Sequence, residues 1–286
     1  MPIDKSADIG GIRLHYLECA GEAGPIVFLH GLSANAHSFD CITEAALSSR
    51  FRVLALDLRG RGASDKPLTG YSIQEHAADV IAWLDALNVD NVVLAGHSYG
   101  GFLASYLAVH HSTRVSRLVL LDIADSAVRS ARVAALLRPS LARLTLSWPS
   151  RAEYLEAMRA TPFLTSAWDG ALERYYGSDV VQGDDGLVRT CARVECVAEA
   201  AQQAARLDWT DILRRIQQPT LLFHATDAFG DEGTTPLILH EEALATASLM
   251  CDCRSVPVPG NHITMLFGDG AKQIASVLME FLSSTR

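Results

Sequence analysis

Short apolar runs bounded by turn residues recur along the first third of the chain and again near its end. They occupy residues 12–19, 26–30, 53–57, 91–95, 117–122, 220–224 and 254–258. Most of these runs are nearly continuous in apolar side chains, which is typical of strands covered on both faces. The run at 12–19 alternates loosely, as expected of a half-exposed edge strand.

Helical patterns separate these runs. Ser72 and Glu75 have the spacing of a capping box, and apolar residues then recur at intervals of three and four up to residue 87. Residues 274–281 show the same spacing near the end of the chain. Strands that alternate with helices predict an α/β fold, in which a mostly parallel sheet is covered by helices on both faces.

The alternation stops at about Asp125 and resumes near Pro219. The stretch between them is helical in pattern, and residues 125–215 hold 12 Arg and 12 Asp or Glu. The formal charge of −9 therefore lies on the rest of the chain. We predict a core formed by residues 1–124 and 213–286, and a helical cap, residues 125–212, inserted into it.

Composition restricts the class of function. With 49% hydrophobic and 20% charged residues the chain is typical of a globular protein, and its net charge of −9 argues against nucleic-acid binding. Residues 92–109 are an uncharged run of membrane-spanning length, but three glycines and a histidine favour a strand, a tight turn and a buried helix. Residues 1–11 lack the apolar stretch of a secretory leader, so we expect a cytoplasmic protein without a membrane span.

The sequence indicates no cofactor. It contains no G-x-G-x-x-G fingerprint and no cluster of His and Asp at metal-ligand spacing. None of the six cysteines forms a C-x-x-C pair, so we interpret them as free thiols. We expect a small-molecule substrate as the partner, and the pattern leaves open whether the protein is a homo-oligomer.

A candidate nucleophile lies in the first third of the chain. Residues 96–100 read G-H-S-Y-G and match G-x-S-x-G, between the predicted strand at 91–95 and a predicted helix at 102–110. In this setting the small flanking residues allow a sharp turn that exposes the serine hydroxyl. A glycine-rich packing turn is the alternative reading. We predict Ser98 as the nucleophile, and a serine there favours an acyl-enzyme over the aspartyl-ester route.

An acyl-transfer site also needs two N–H groups aimed at the negative oxygen that develops during the reaction. We expect one from the backbone of Tyr99, the residue after the nucleophile. The second is expected from Leu32, in the loop that closes the strand at 26–30. An ordinary strand-end turn would explain the same loop.

Ten histidines compete for the role of base. His262 lies in a loop after the last predicted strand and before the C-terminal helix, and it is the last histidine of the chain. That order fits nucleophile, acid and histidine in serine hydrolases of this kind. We predict His262 as the base, and expect the side chain of His97 to point away from the hydroxyl.

Several motifs together resemble the α/β-hydrolase superfamily, in its esterase, carbon–carbon hydrolase and amidohydrolase branches. The resemblance covers nearly the whole chain outside the cap and is carried by His30-Gly31, D-L-R-G-R-G-x-S-D at residues 57–65, the turn at 96–100, Pro219-Thr220 and P-G-N-H at residues 259–262. It implies an eight-stranded sheet with an inserted cap, and a triad of serine, histidine and an acid.

The acid is where the chain departs from the resemblance. The usual position, nine residues after Pro219, is Ala228. Asp227 is one residue early on the late loop at residues 227–231, and Asp122 closes the strand after that of the nucleophile. Some branches of the superfamily carry the acid at the latter place. We favour Asp122, keep Asp227 as the alternative, and expect Asp122→Asn to lower kcat strongly and Asp227→Asn to do little.

The first part of the cap suggests what the substrate could carry. It holds five arginines and no acid, at positions 129, 132, 138, 143 and 151. A solvated face explains them, and one or two turned inward would hold a substrate carboxylate. We predict a hydrolase that cleaves an ester or amide of a small, partly apolar substrate. Carbon–carbon hydrolysis of a ring-cleavage product and a ligand receptor with little turnover are the alternatives.

Overall fold

The computed structural model describes residues 2–230 and 234–284, so Asp231 of the late loop lies outside the described residues. The strands are β1 Ile3–Asp8, β2 Arg13–Cys19, β3 Ala23–Leu29, β4 Phe51–Leu56, β5 Val92–His97, β6 Val115–Leu121, β7 Val180–Gln182, β8 Val188–Thr190, β9 Thr220–Ala225 and β10 Cys253–Val258. The helices are α1 Asp40–Ile42, α2 Ile73–Ala86, α3 Tyr99–His110, α4 Ala131–Ala142, α5 Arg151–Arg159, α6 Pro162–Thr165, α7 Gly170–Ser178, α8 Val194–Ala204, α9 Trp209–Arg214, α10 His240–Ser248 and α11 Gly268–Ser283.

Of the described strands, eight form one sheet in the order β1-β2-β4-β3-β5-β6-β9-β10. The pairs β1–β2 and β2–β4 are antiparallel, and every other adjacent pair is parallel. All residues of β9 are buried, because the sheet is covered on both faces there. The predicted α/β fold with a mostly parallel, eight-stranded sheet is confirmed, and all seven predicted strands are present.

Two elements differ from the sequence prediction. The pattern missed β1, because nearly all of its side chains are exposed at the edge of the sheet and show no alternation. The stretch predicted as a purely helical cap also contains an antiparallel hairpin, β7–β8. Its turn includes Gly186 at φ 79°, and its strands are rich in β-branched residues, which favour extended backbone.

The stretch between β6 and β9 holds α4 to α9 and this hairpin. Its division from the core after residues 124 and 212 stays a prediction. Within the part of the chain that the structure describes, no helix is both long enough and apolar enough to cross a membrane.

The parallel strands determine where functional side chains meet. Because β3, β5, β6 and β9 run in the same direction, the loops after them lie at one edge of the sheet, as does the loop after β10. Ser98 directly follows β5, Asp122 directly follows β6, and His262 lies four residues after β10. Leu32 follows β3 at the same edge.

Candidate active site

The turn between β5 and α3 holds Ser98 in a conformation that few residues adopt. Its backbone angles, φ 53° and ψ −119°, lie outside the regions that residues other than glycine usually adopt. A Cβ on Gly96 would lie 2.1 Å from the carbonyl oxygen of Gly100, and one on Gly100 would lie 2.0 Å from that of Leu29. Only glycine fits at both positions, so the spacing G-x-S-x-G is a packing requirement of this turn.

A continuous chain of hydrogen bonds joins Ser98, His262 and Asp122. The Nε2 atom of His262 lies 3.1 Å from Ser98 Oγ, and its Nδ1 atom lies 2.6 Å from Asp122 Oδ2. Because an ionised carboxylate only accepts, Nδ1–H donates to Asp122 and leaves Nε2 free to accept the serine proton. The side chain of Asp122 is held in place, since its other oxygen accepts the N–H of Ala225 at 2.9 Å.

Asp227, the alternative acid, lies elsewhere. It is exposed, and its carboxylate accepts a hydrogen bond from the hydroxyl of Thr226 at 3.0 Å. Asp122 is 2% exposed and His262 is 4% exposed, so their pairing takes place out of water. The structure therefore brings Asp122 to the imidazole and does not bring Asp227 there.

His97 contributes to the site although its position in the motif suggested no role. Its ring packs beside that of His262, with 4.6 Å between the centroids, and its Nε2–H donates to the backbone carbonyl of His262 at 2.8 Å. Burial, with the charge of His262 as a further cause, holds the pKa of His97 well below its usual range. A neutral His97 thus fixes the backbone that carries the candidate base, and the sequence pattern gives no signal of this contact.

Leu32 and Tyr99 both line a cavity in front of Ser98. Within residues 2–230 and 234–284, neither backbone N–H donates to a protein acceptor. His30 fixes the first of these peptides: its Nδ1–H donates to the carbonyl of Gly31 at 2.7 Å, while its Nε2 accepts the N–H of Leu58 at 3.0 Å. In a trans peptide the N–H of Leu32 points away from that carbonyl.

The His30 ring can keep this arrangement because it stays neutral. Burial lowers the pKa of His30 to about 4, so the imidazole retains one donor and one acceptor nitrogen near neutral pH. Gly31 lies against His97 and Ser98, since a Cβ there would lie 3.2 Å from His97 Nδ1 and 3.4 Å from Ser98 Cβ.

The cavity has a volume of about 290 Å³ and is mostly apolar. Its apolar wall comes from the cap and from the loops before α10 and α11, and includes Val128, Val133, Leu137, Leu237, Ile238 and Phe267. Tyr175 and Tyr176 also line it. Trp148 packs on Tyr154 and Trp168 on Tyr176, whereas Phe163 packs on Phe229 in the loop after β9.

Of the five cap arginines, Arg143 is the one that turns inward and lines the cavity. Its Nε–H donates to Asp179 Oδ2 at 3.0 Å, and both side chains are buried. Tyr154 donates a second hydrogen bond, of 2.7 Å, to the same carboxylate oxygen. The positive charge of Arg143 is therefore already matched by an acid of the protein.

The other cap arginines also have partners or face solvent. Arg129 donates to the carbonyls of Ala205 and Leu207, Arg132 pairs with Glu242, Arg151 donates to the carbonyl of Gly177, and Arg138 is exposed. Apart from His262 and His97, the described ionisable residues that line the cavity are Asp122, Arg143, Tyr99, Tyr175 and Tyr176.

A strand–turn–helix with its serine facing a cavity, beside a buried His–Asp pair, defines the site type of the α/β hydrolases. A family model described as alpha/beta hydrolase fold matches residues 24–269. The chain belongs to this family.

The relatives and solved structures that the chain resembles are named for different activities. Non-heme chloroperoxidase of Streptomyces lividans is 32% identical over 232 residues, which are 76% of this chain and 79% of that protein. Soluble epoxide hydrolase of Corynebacterium sp. (strain C12) is 37% identical over 124 residues, or 43% of each chain, so less than half of that relative is matched. The crystal structure of E-2-(acetamidomethylene)succinate hydrolase has a TM-score of 0.81 at 24% identity, over 99% of this chain and 100% of that one. That likeness shows the fold alone.

Proposed function

We propose that the protein is a serine hydrolase that cleaves an ester or amide of a small, uncharged and largely apolar substrate through an acyl-enzyme. The observation that carries the proposal is the hydrogen-bonded chain from Asp122 through His262 to Ser98, which ends at the cavity. A serine whose proton can pass to an oriented imidazole is an activated nucleophile.

In the proposed mechanism, Ser98 Oγ attacks the substrate carbonyl carbon while His262 Nε2 takes the hydroxyl proton. Asp122 stabilises the imidazolium that forms. The carbonyl oxygen becomes negative and accepts hydrogen bonds from the N–H groups of Leu32 and Tyr99. When the bond to the leaving group breaks, His262 returns its proton to that group, and an acyl-enzyme on Ser98 remains.

Water completes the cycle by the same steps. His262 removes a proton from the water as its oxygen attacks the acyl carbon, and the resulting tetrahedral anion occupies the same oxyanion site. Collapse of this intermediate releases the acid and returns the proton to Ser98.

The charge of the cavity supports an uncharged substrate. The sequence hypothesis of a carboxylate held by an inward arginine loses its support, because Asp179 already balances Arg143. A volume of about 290 Å³ lies at the low end of the range of about 300–1,000 Å³ for ligand pockets, which favours short acyl chains.

Turnover of short p-nitrophenyl esters tests the proposal. The wild-type protein should hydrolyse the butyrate ester, Ser98→Ala should lose this activity, and a fluorophosphonate should label the wild type at Ser98. Ser248→Ala is the matched control, since its hydroxyl bonds to the carbonyl of Ala245 on α10 and the residue does not line this cavity. Ester turnover that persists in Ser98→Ala would contradict the proposal.

The same assay addresses the two alternatives. Cleavage of ring-cleavage products without ester turnover would favour carbon–carbon hydrolysis, which uses the same three residues. Tight binding of an apolar ligand without turnover, in wild type and Ser98→Ala alike, would favour a receptor.

A further inference from the structure

Arg61 is a fully buried cation without a carboxylate partner. Its side chain is 0% exposed, and among the described residues no Asp or Glu lies within ion-pair distance of it. Its Nε–H donates to the carbonyl of Leu32 at 2.9 Å, and its Nη1 donates to the carbonyl of Arg59 at 2.9 Å. Its Nη2 has no hydrogen-bond partner in the part of the chain that the structure describes.

The groups around this guanidinium do not supply a negative charge. It lies over the rings of Tyr71 and Tyr99, at 5.6 and 5.9 Å from their centroids, and its Nη1 lies 3.4 Å from Nε2 of His76. Burial raises the pKa of both tyrosines, so their hydroxyls stay protonated, and burial also keeps His76 neutral by lowering its pKa.

Two other arginines, one half-buried and one buried, have the acid partner that Arg61 lacks among the described residues. Arg59, two residues earlier, forms a bidentate pair with Asp79, and Arg143 pairs with Asp179. A buried charge without a partner destabilises a fold, which is why such charges are normally matched. The position of Arg61 therefore calls for a reason other than stability.

That position is next to both residues of the proposed oxyanion site. Arg61 bonds to the carbonyl of Leu32, whose N–H lines the front of the site, and it contacts the ring of Tyr99, whose N–H is the second donor. A negative charge forms in front of these two N–H groups only during the reaction.

We propose that Arg61 is a positioning residue for the oxyanion site, which holds the carbonyl of Leu32 and whose unmatched charge stabilises the anion formed during acyl transfer. The proposal rests on the proposed function. The guanidinium holds the residue that carries the first N–H donor, and it places a positive charge beside the site, where that charge lowers the energy of the developing anion. This stabilisation requires that Arg61 has no carboxylate partner, since a partner would neutralise the positive charge of the guanidinium.

Three substitutions separate the charge from the shape of the side chain. Arg61→Met and Arg61→Gln remove the charge, and we expect kcat to fall by about 10- to 100-fold with KM changed by less than about threefold. The loss should be smaller than that for a direct oxyanion donor, which costs about 10²–10³ in kcat. Arg61→Lys keeps the charge and should remain within about fivefold of wild type.

Two further measurements exclude a merely structural role. The affinity for an alkylboronic acid, which forms an anionic tetrahedral adduct with an active serine, should fall in Arg61→Met by the same factor as kcat/KM. The thermal unfolding midpoint of Arg61→Met and Arg61→Gln should equal or exceed that of wild type, because a costly buried charge has been removed.

Arg59→Met is the matched control and should show the opposite pattern. It leaves Asp79 buried without its partner, so the unfolding midpoint should fall while kcat stays within about twofold of wild type. The Arg61 proposal is overturned if its neutral variants keep full kcat, if they fail to fold, or if Arg61→Lys is as impaired as Arg61→Gln. Persistent turnover in Ser98→Ala would instead overturn the proposed function, so the two failures are distinguishable.

Discussion

Buried charged side chains have different partners in the cap and at the edge of the sheet. In the cap, Arg143 and Asp179 form a balanced pair, and further hydrogen bonds hold both side chains. At the edge of the sheet, Asp122 faces an imidazole whose charge changes in the proposed reaction, and Arg61 has no acid partner among the described residues. The difference teaches that buried charges pair with each other where the proposed reaction creates no charge. Where the reaction creates an imidazolium and an oxyanion, Asp122 and Arg61 are placed to stabilise them.

The largest expected effect concerns the acid at the edge of the sheet. Asp122→Asn should lower kcat by about 10³–10⁴, because it removes the acceptor that fixes the tautomer of His262 and stabilises the imidazolium. The fold should survive, since the amide is isosteric and its oxygen can still accept the N–H of Ala225. Steady-state ester hydrolysis measures the loss.

Asp227→Asn is the matched control for this substitution and should leave kcat within about twofold of wild type, because that side chain is exposed and bonds to Thr226. The reverse result, a large loss in Asp227→Asn alone, would assign the acid to the late loop.

The next effect tests the balanced charges of the cap. Asp179→Asn leaves Arg143 buried without its counter-ion, so the free energy of unfolding should fall by about 3–5 kcal/mol. The freed guanidinium lines the cavity, so kcat/KM for a monoester of a dicarboxylic acid should rise about tenfold relative to a neutral ester of equal length. Chemical denaturation and a paired-substrate assay measure the two effects.

Asp211→Asn is the control, since Asp211 pairs with Arg215 on the exposed side of α9 at 3.4 Å. Asp211→Asn should change the free energy of unfolding by less than about 1 kcal/mol, and it should leave the preference for charged substrates unchanged. If Asp179→Asn does not alter this preference, Arg143 does not determine the charge selectivity of the cavity.

The sequence was sufficient for the parts of the site that depend on local backbone. Gly96 and Gly100 are required by contacts within one turn, so the motif alone located Ser98. His262 could be found from its place in the loop between the last predicted strand and the C-terminal helix. Continuous apolar runs predicted β3 to β6 and β9, because strands buried on both faces need continuous apolar sequence. The less regular runs at residues 12–19 and 254–258 predicted β2 and β10.

The remaining features depend on contacts between distant parts of the chain. The choice between Asp122 and Asp227 needed the position of the His262 ring, 140 residues from Asp122. The pairing of Arg143 with Asp179 joins α7 to the turn after α4, and no local pattern reports it. Sequence alone cannot show that Arg61 lacks an acid partner among the described residues, because that depends on all the elements packed around its side chain.

A smaller effect tests whether the apolar wall of the cap limits substrate length. Leu137→Trp should fill part of the cavity and lower kcat/KM for an octanoate ester about tenfold relative to a butyrate ester. The control is Leu146→Trp, since Leu146 is exposed on the cap and does not line the cavity. An unchanged chain-length preference in Leu137→Trp would show that the acyl chain lies elsewhere.

The smallest expected effect concerns a histidine that is paired with two carboxylates at the edge of the sheet. Burial alone would lower the pKa of His15, but hydrogen bonds and charge from Asp57 and Asp4 more than offset it and raise the pKa above its usual 6.5. A raised pKa in the folded state means that the pair stabilises the fold fully below about pH 6.5 and loses this contribution as pH rises through the raised value.

The unfolding midpoint of the wild type should therefore fall by a few degrees between about pH 6.5 and 9, and His15→Asn should reduce this slope. Asp4→Asn should reduce it by less, because that carboxylate is 74% exposed whereas Asp57 is buried. An equal slope in wild type and His15→Asn would assign the pH dependence to other groups.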